Sequence, residues 1–459
     1  QEVMEEKGVH GVYFQAESRR FYPSPNRLTH VLGYTDHEHV GREGVERTMN
    51  EVMAGKDGYR YIERNNRGQE IAAFRGEEVL PVHGSNVRLT IDMGMQNIVE
   101  RGLARGVERF QPEKISTVWM DPYTGEILSM ASRPDFDLNT REGNRRNIAI
   151  ADQYEPGSTF KIVAVGGALD QNLLHLQTQI FCHWGQMTEH NGLIVKDHHP
   201  YGDLTTELVV AKSSNIGAYK VAKLLGPVRL HQYMGYFGFG ERTGIKLTGE
   251  VAGRVYHPDE WSGTSFSSMA MGYEVAVTPL QMATALSAVA NGGLLMQPRV
   301  ISTIENDNEE VLEKTDTRVV RRVLSSAAAD SMRRAMMAVT AQGGTATRAN
   351  FPGYLVAGKT GTARKYSAEA KGYLDGRYVC SFMGFFPADN PRVVGIVVVD
   401  DPVKPADDPE MPLYGGTVAA PIFAEMAAKI AAYLEIPAST PPTDLVQNQP
   451  LANATRLPR

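Results

Sequence analysis

Cysteine is nearly absent: the 459 residues hold two, Cys182 and Cys380. A pair so far apart makes no disulfide framework. Cys380, inside Tyr378-Val379-Cys380-Ser381-Phe382, reads as a buried strand residue. Cysteine poverty suits an exported bacterial protein. Long apolar runs are lacking too: none reaches the roughly 18 residues that a membrane helix needs. No signal peptide is visible. Charge of one sign is also missing. The 47 Lys and Arg stand against 53 Asp and Glu, and a formal net charge of −6 gives no reason to expect a nucleic-acid partner. There is no internal repeat. The chain opens at Gln1 without an initiator Met, in a polar, charged stretch. It reads as a piece of a longer protein, with any export signal or anchor lying outside it.

What is present is an ordinary globular composition, 42% hydrophobic and 22% charged. A chain of this length exceeds one ordinary core, so two or three domains are expected. Residues 1–84 are rich in charge, Gly and short β-like runs. Arg47 to Met53 predicts a short helix. Tyr59-Arg60-Tyr61-Ile62 and Glu70-Ile71-Ala72-Ala73-Phe74 predict a hairpin. No catalytic constellation appears there, and the segment reads as a non-catalytic pedestal. Residues 85–436 have a different texture. Asn86 to Asp92 predicts a strand whose last residue caps a helix over 96–110. Ile115 to Met120 and Ile127 to Ala131 flank the turn chemistry of Asp121-Pro122-Tyr123-Thr124-Gly125-Glu126, which predicts a second hairpin. Helices are expected over 207–225, after Thr278-Pro279, over 325–337, and over 417–434 with Thr417 as cap. Strands are expected at 355–363, 378–386 and 392–399, with a mobile polar loop over 365–377 bordering the substrate groove. Residues 437–459, rich in Pro and Asn, read as a disordered tail.

The chemistry centres on Glu155-Pro156-Gly157-Ser158-Thr159-Phe160-Lys161. Pro156 and Gly157 read as a turn, and the apolar run after them as a helix. Ser158 then sits at the helix N-terminus and Lys161 one turn on, on the same face. A serine hydroxyl is a weak nucleophile until a base takes its proton. A lysine can be that base when burial and nearby positive charge leave it a neutral amine. A helix N-terminus offers N–H donors to a developing oxyanion. Taken alone, Ser-x-x-Lys is more simply a capped helix with a solvated lysine. His175, His183, His190, His198 and His199, with Cys182 nearby, raise a zinc site, but their spacing matches no standard pattern. They read as surface or hydrogen-bonding side chains.

Two further motifs change the weighing. Ser213-Ser214-Asn215 and Lys359-Thr360-Gly361 follow Ser158-Thr159-Phe160-Lys161 in that order. The set resembles that of the penicillin-binding proteins and class A β-lactamases. On that resemblance Ser158 is the nucleophile and Lys161 its base. Ser213 and Lys161 share a proton path to the leaving group. Asn215 holds a substrate amide, and Lys359 adds positive charge beside that path. The hydroxyls of Thr360 and Thr362, flanking Gly361, bind a substrate carboxylate. The backbone N–H groups of Ser158 and Thr362 form the oxyanion hole.

The likeness extends beyond the motifs. Glu43-Gly44-Val45-Glu46, Ala131-Ser132-Arg133-Pro134, Thr278-Pro279-Leu280-Gln281, Lys359-Thr360-Gly361-Thr362-Ala363 and Tyr414-Gly415-Gly416 all resemble class B penicillin-binding proteins. These are the monofunctional peptidoglycan D,D-transpeptidases, and within them Glu155-Pro156-Gly157-Ser158 and Ser213-Ser214-Asn215-Ile216-Gly217 most resemble the division-specific branch, penicillin-binding protein 3 and its sporulation relatives. The resemblance implies an α+β fold: a five-stranded antiparallel sheet flanked by helices, an all-helical lobe beside it, and an N-terminal mixed pedestal. It implies cross-linking of stem peptides ending in D-Ala-D-Ala through an acyl-enzyme, and acylation by β-lactams. It implies no metal and no organic cofactor. It places the site at the extracytoplasmic, periplasmic face of the bacterial inner membrane, with a membrane glycosyltransferase and division proteins as partners. Three alternatives stand beside it: a serine β-lactamase, a penicillin-recognising sensor, and a divisome scaffold. No E-x-x-L-N stretch follows Asn215, which disfavours the first. The chain carries no signalling domain, which disfavours the second. Intact Ser158 and Lys161 argue against a dead scaffold.

Overall fold

The computed structural model describes residues 19–67, 69–190, 192–367 and 369–439, with the backbone alone at 72–75. The start of the expected pedestal and residues 440–459 of the expected disordered tail lie outside the described residues. The segment 44–53 is two short helices, Gly44–Thr48 and Asn50–Met53, rather than one. Met49, with φ −112° and ψ 13°, leaves helical geometry between them. Tyr59–Arg64 (β1) and Glu70–Val79 (β2) form the expected antiparallel hairpin, Tyr59 opposite Val79. Asn86–Leu89 (β3) pairs with Ile301–Glu305, far along the chain.

Met93–Phe110 (α1) starts where Asp92 accepts the Met95 N–H at 2.9 Å. That bond satisfies one of the orphan donors of the first turn. Lys114–Met120 (β4) and Ile127–Arg133 (β5) are the second expected hairpin. After a 3₁₀ turn at Gly157–Phe160 the chain enters Lys161–Asp170 (α2). Thr206–Ala211 (α3), Asn215–Leu225 (α4) and Pro227–Tyr236 (α5) follow. Pro279–Ala290 (α6) has Pro at its first position and a capping box between Thr278 and Gln281. Ser326–Thr340 (α7) precedes the last strands, Ala357–Ser367 (β6), Gly372–Phe386 (β7) and Val393–Asp400 (β8). Ala419–Tyr433 (α8) closes the described fold.

Three sequence expectations need correction. The single helix over 207–225 is α3 and α4, broken at Ser213, whose φ of 59° cannot continue a right-handed helix. The polar loop over 365–377 is mostly ladder: β6 and β7 run on past the sheet, Tyr366 opposite Tyr373 and Ser367 opposite Gly372. Alternating aromatic and polar residues there sustain pairing where polarity alone suggested a loop. Thr417 does not cap α8, which begins without a side-chain cap. Its hydroxyl accepts the Tyr414 N–H at 3.1 Å and donates to Tyr414 O at 3.0 Å, so it is spent on the preceding turn.

The central sheet has the order β6-β7-β8-β4-β5, antiparallel throughout. Helices α1 and α8 pack together on one face, and α6 packs against β4, β7 and β8. Covering both faces explains why β8 is an almost unbroken apolar run, Val393 to Val399, with every one of those residues buried. Trp119 of β4 stacks on Phe423 of α8 at 4.9 Å, and Phe382 meets the same ring edge-on at 4.8 Å. Gly395 leaves the room that Trp119 fills: a Cβ there would stand 2.5 Å from its ring. Each such buried aromatic contributes on the order of 2–3 kcal/mol. The helical lobe gathers around α2, against which α4, α5 and α7 pack. No helix among the described residues is long and apolar enough to cross a membrane.

Candidate active site

The three motifs meet between the sheet and the helical lobe. Ser158 lies in the 3₁₀ turn, and Lys161 is the first residue of α2. Gly157 has φ 55° and its N–H donates to Gly272 O at 3.0 Å, so the turn before the serine takes a backbone form that suits glycine. Ser213 and Asn215 flank the start of α4, whose cap is the hydroxyl between them: Ser214 Oγ accepts the Gly217 N–H at 2.9 Å. Lys359, Thr360, Gly361 and Thr362 lie along β6, the edge strand of the sheet. Gly361 runs against the nucleophile turn. A Cβ there would stand 2.8 Å from Pro156 O and 2.3 Å from Ser381 Oγ.

Lys161 is 1% exposed and Lys359 0%. Lys161 Nζ donates to Ser213 O at 2.6 Å, Asn215 Oδ1 at 2.8 Å and Ser213 Oγ at 3.3 Å. Lys359 Nζ donates to Ser213 Oγ at 2.9 Å and to Thr360 O at 3.1 Å. Ser213, Asn215 and the two lysines therefore form one hydrogen-bonded cluster. Burial brings the Lys161 ammonium down from its usual 10.5 to about 7, against the opposing pull of Asp197. Burial, and then the charge of Lys161, hold Lys359 well below its ordinary value. A buried amine that loses its proton near neutrality can accept one from a neighbouring hydroxyl. Three of its hydrogen bonds are spent on the second motif and none goes to Ser158 Oγ, which leaves the half-buried hydroxyl uncommitted.

Thr360 Oγ1 pairs with Thr345 Oγ1 at 3.0 Å, and Thr362 Oγ1 accepts the Gly415 N–H at 3.0 Å. Each hydroxyl is thereby oriented by a partner from outside the motif. The backbone of Gly157, the residue before Ser158, lies close to that of Thr362, for a Cβ on Gly157 would stand 3.2 Å from Thr362 O.

Several supporting residues escaped the sequence. Glu155 Oε1 accepts the Glu274 N–H at 2.8 Å and the Tyr373 hydroxyl at 3.2 Å. It thus ties the nucleophile turn to the β6–β7 hairpin, and burial pushes its carboxyl up. Asp197 and Lys196 hold the second motif from the end of a short strand, Ile194–Lys196, in the segment that carries the histidines. His198 of that segment faces Tyr414 with ring centroids 6.1 Å apart, and burial followed by the charge of Lys161 lowers its imidazole. Among the described residues no three His, Cys, Asp or Glu side chains gather as a metal site requires. Cys182, a free thiol, instead donates to Ile180 O at 3.4 Å and lies 3.4 Å from Ser214 Oγ. The signal for Asp197 was its position, a lone carboxylate ahead of a Ser-Asn helix start, which the histidines around it obscured.

The penicillin-binding protein transpeptidase domain profile matches residues 115–428, and the penicillin-binding protein dimerisation domain profile matches residues 1–89. Stage V sporulation protein D of Bacillus subtilis is 34% identical over 420 residues, which is 90% of this chain and 64% of that protein. The probable peptidoglycan D,D-transpeptidase PbpC of Pseudomonas aeruginosa is 32% identical over 94% of this chain and 73% of its own length. Penicillin-binding protein 3 of Mycobacterium tuberculosis, solved in complex with ampicillin, superposes with a TM-score of 0.81 at 31% identity, covering 93% of this chain and 91% of that one. The chain spans less than two thirds of the sporulation protein's length. With sequence, fold and both domain profiles in agreement, this chain belongs to the class B penicillin-binding proteins.

Proposed function

We propose that the chain is a serine D,D-transpeptidase of peptidoglycan, acylated by β-lactams at Ser158. The observation that carries the reading is the buried Lys161 amine, held near neutrality one turn from an uncommitted serine hydroxyl. Ser158 Oγ attacks the penultimate D-Ala carbonyl of a stem peptide, and Lys161 takes its proton. The N–H groups of Ser158 and Thr362 receive the oxyanion. The proton passes by way of Ser213 Oγ, which both lysines touch, to the departing amine of the terminal D-Ala. An amine from a neighbouring stem then attacks the acyl-enzyme in the reverse sense, so the same groups serve both halves. Asn215 and the hydroxyls of Thr360 and Thr362 orient the substrate amide and carboxylate. A β-lactam offers a strained amide and a carboxylate to the same groups.

The likeness to the division-specific branch supports a septal role at the extracytoplasmic face of the inner membrane. A membrane anchor, a membrane glycosyltransferase and division proteins belong to that setting. The two profiles, over residues 1–89 and 115–428, support residues 1–84 as a pedestal and 85–436 as the catalytic domain.

The test is intact-protein mass after incubation with a penicillin, for wild type and Ser158→Ala, followed by a cross-linking assay on stem peptides. A stable single adduct on the wild type, absent from the variant, together with cross-linked product, is expected. An adduct that turns over within seconds while penicillin is consumed means a β-lactamase instead. An adduct without cross-linking means a sensor.

A further inference from the structure

The second motif does not stand on its own. Its strained residue, Ser213, has φ 59°, and left-handed backbone at a serine persists only where its surroundings impose it. One side chain outside all three motifs does much of the imposing. Asp197 Oδ1 accepts the backbone N–H groups of Asn215 and, at 3.0 Å, Ile216. Its Oδ2 accepts the Ser214 hydroxyl at 2.6 Å. The residue before it contributes too: Lys196 O accepts Asn215 Nδ2 at 2.9 Å, which turns Asn215 Oδ1 toward Lys161 Nζ.

The same carboxylate acts on the amine. Four ionisable groups stand around Lys161: Asp197, His198, Cys182 and Lys359. The Cys182 thiol is pushed up by burial and stays neutral, and the His198 imidazole is pushed down. Lys359 is a second buried amine, lowered by burial and then by the charge of Lys161. Asp197 is the carboxylate of the group.

We infer that Asp197 is a positioning residue for the acyl transfer: it clamps the Ser213-Ser214-Asn215 turn onto Lys161 and is the negative charge against which that amine's proton is balanced. The inference rests on the acyl-transfer reading of Ser158 and Lys161. Through the clamp, Asp197 fixes the acceptors of Nζ. Through its charge, it favours the protonated amine and so opposes burial. Neither role requires it to touch the substrate.

The experiment is the pH profile of the penicillin acylation rate for wild type, Asp197→Asn and Ser214→Ala. Asparagine keeps an acceptor for the two backbone N–H groups and removes the charge. The acid limb in Asp197→Asn is expected about one unit lower than in wild type, since an opposite charge at close range shifts such a group by about 1–3 units. A rate that falls equally at every pH, with the limb unmoved, overturns the electrostatic role. Ser214→Ala keeps the charge and cuts one arm of the clamp. It is expected to lose roughly fivefold in rate, the worth of one hydrogen bond, with the limb in place. A wild-type rate in that variant overturns the clamp, and remains informative if Asp197→Asn does not fold. Absence of any adduct on the wild type overturns the acyl-transfer reading itself, and this inference with it.

Discussion

The amines of Lys161 and Lys359 converge on one hydroxyl, that of Ser213, at 3.3 and 2.9 Å. Both amines are cut off from water, which lowers each, and the charge of Lys161 lowers Lys359 further. Lys161 can therefore hold and release a proton near neutrality, where an isolated lysine cannot.

The first prediction concerns Lys161. The folded amine titrates at about 7 against an ordinary 10.5. Only its neutral form accepts the serine proton, so acylation rises as pH climbs through about 7 and is lost below it. Lys161→Met, similar in length, is expected to slow acylation by about 10²–10⁴-fold. Stopped-flow acylation with a chromogenic cephalosporin checks both. The sign in stability is the reverse of a salt-bridged lysine. Between about 7 and 10.5 the unfolded chain keeps a proton that the folded chain has released, so stability gains from rising pH in that window.

A second prediction concerns Gly361, where strand and nucleophile turn touch. A methyl group at that position would stand 2.8 Å from Pro156 O and 2.3 Å from Ser381 Oγ. Both are too close, and Pro156 O belongs to backbone that cannot swing away. Gly361→Ala should push the turn off β6 and separate Ser158 from Thr362. The expected outcome is acylation reduced by about 10²-fold or more, the scale of losing an oxyanion donor, with a folded sheet. Circular dichroism beside the acylation rate separates the two effects.

The third prediction concerns acid stability. Arg88 of β3 makes a two-pronged bond to Glu305, Nε to Oε1 at 2.7 Å and an NH2 to Oε2 at 3.0 Å. Arg88, with the Thr303 hydroxyl behind it, brings the Glu305 carboxyl from 4.5 to about 2. A depressed carboxylate stabilises the fold above its unfolded value and loses that contribution as pH falls toward the folded one. Arg88→Ala should therefore melt lower than wild type above pH 4.5, with the gap closing as the pH approaches about 2. A gap that stays constant across that window would show the pair to be electrostatically inert. The arginine is solvent-exposed, so added salt should also narrow the gap.

The three motifs and the sheet strands were legible because their chemistry is local. Val393 to Val399 can be little other than a strand covered on both faces, and Thr278-Pro279 announces a helix by its cap. The α3–α4 break was not legible. Lys212-Ser213-Ser214-Asn215 fits a helix as well as it fits a turn, and what decides is Asp197, supplied by a loop 16 residues away in the chain's numbering (197 to 213). The β6–β7 extension was hidden for a similar reason. Lys365, polar and loop-like by composition, is held in the ladder by Glu113 at 2.5 Å and Asp400 at 3.1 Å, partners from other parts of the chain. What sequence reading missed was support between segments, where a side chain's role is set by neighbours distant in sequence.

Strand β6 pairs with β7 on one side only. Its other side carries a row of backbone donors and acceptors without a strand partner, and such rims invite any extended peptide to join the sheet. In most proteins that invitation is a hazard, met with charges or a covering loop. Here the rim runs beside the turn that carries Ser158. A stem peptide laid along it would become a guest strand, read through main-chain bonds before any side chain is recognised. The sheet itself then takes part in catalysis as a ruler, since the register of that guest decides which carbonyl arrives at the serine.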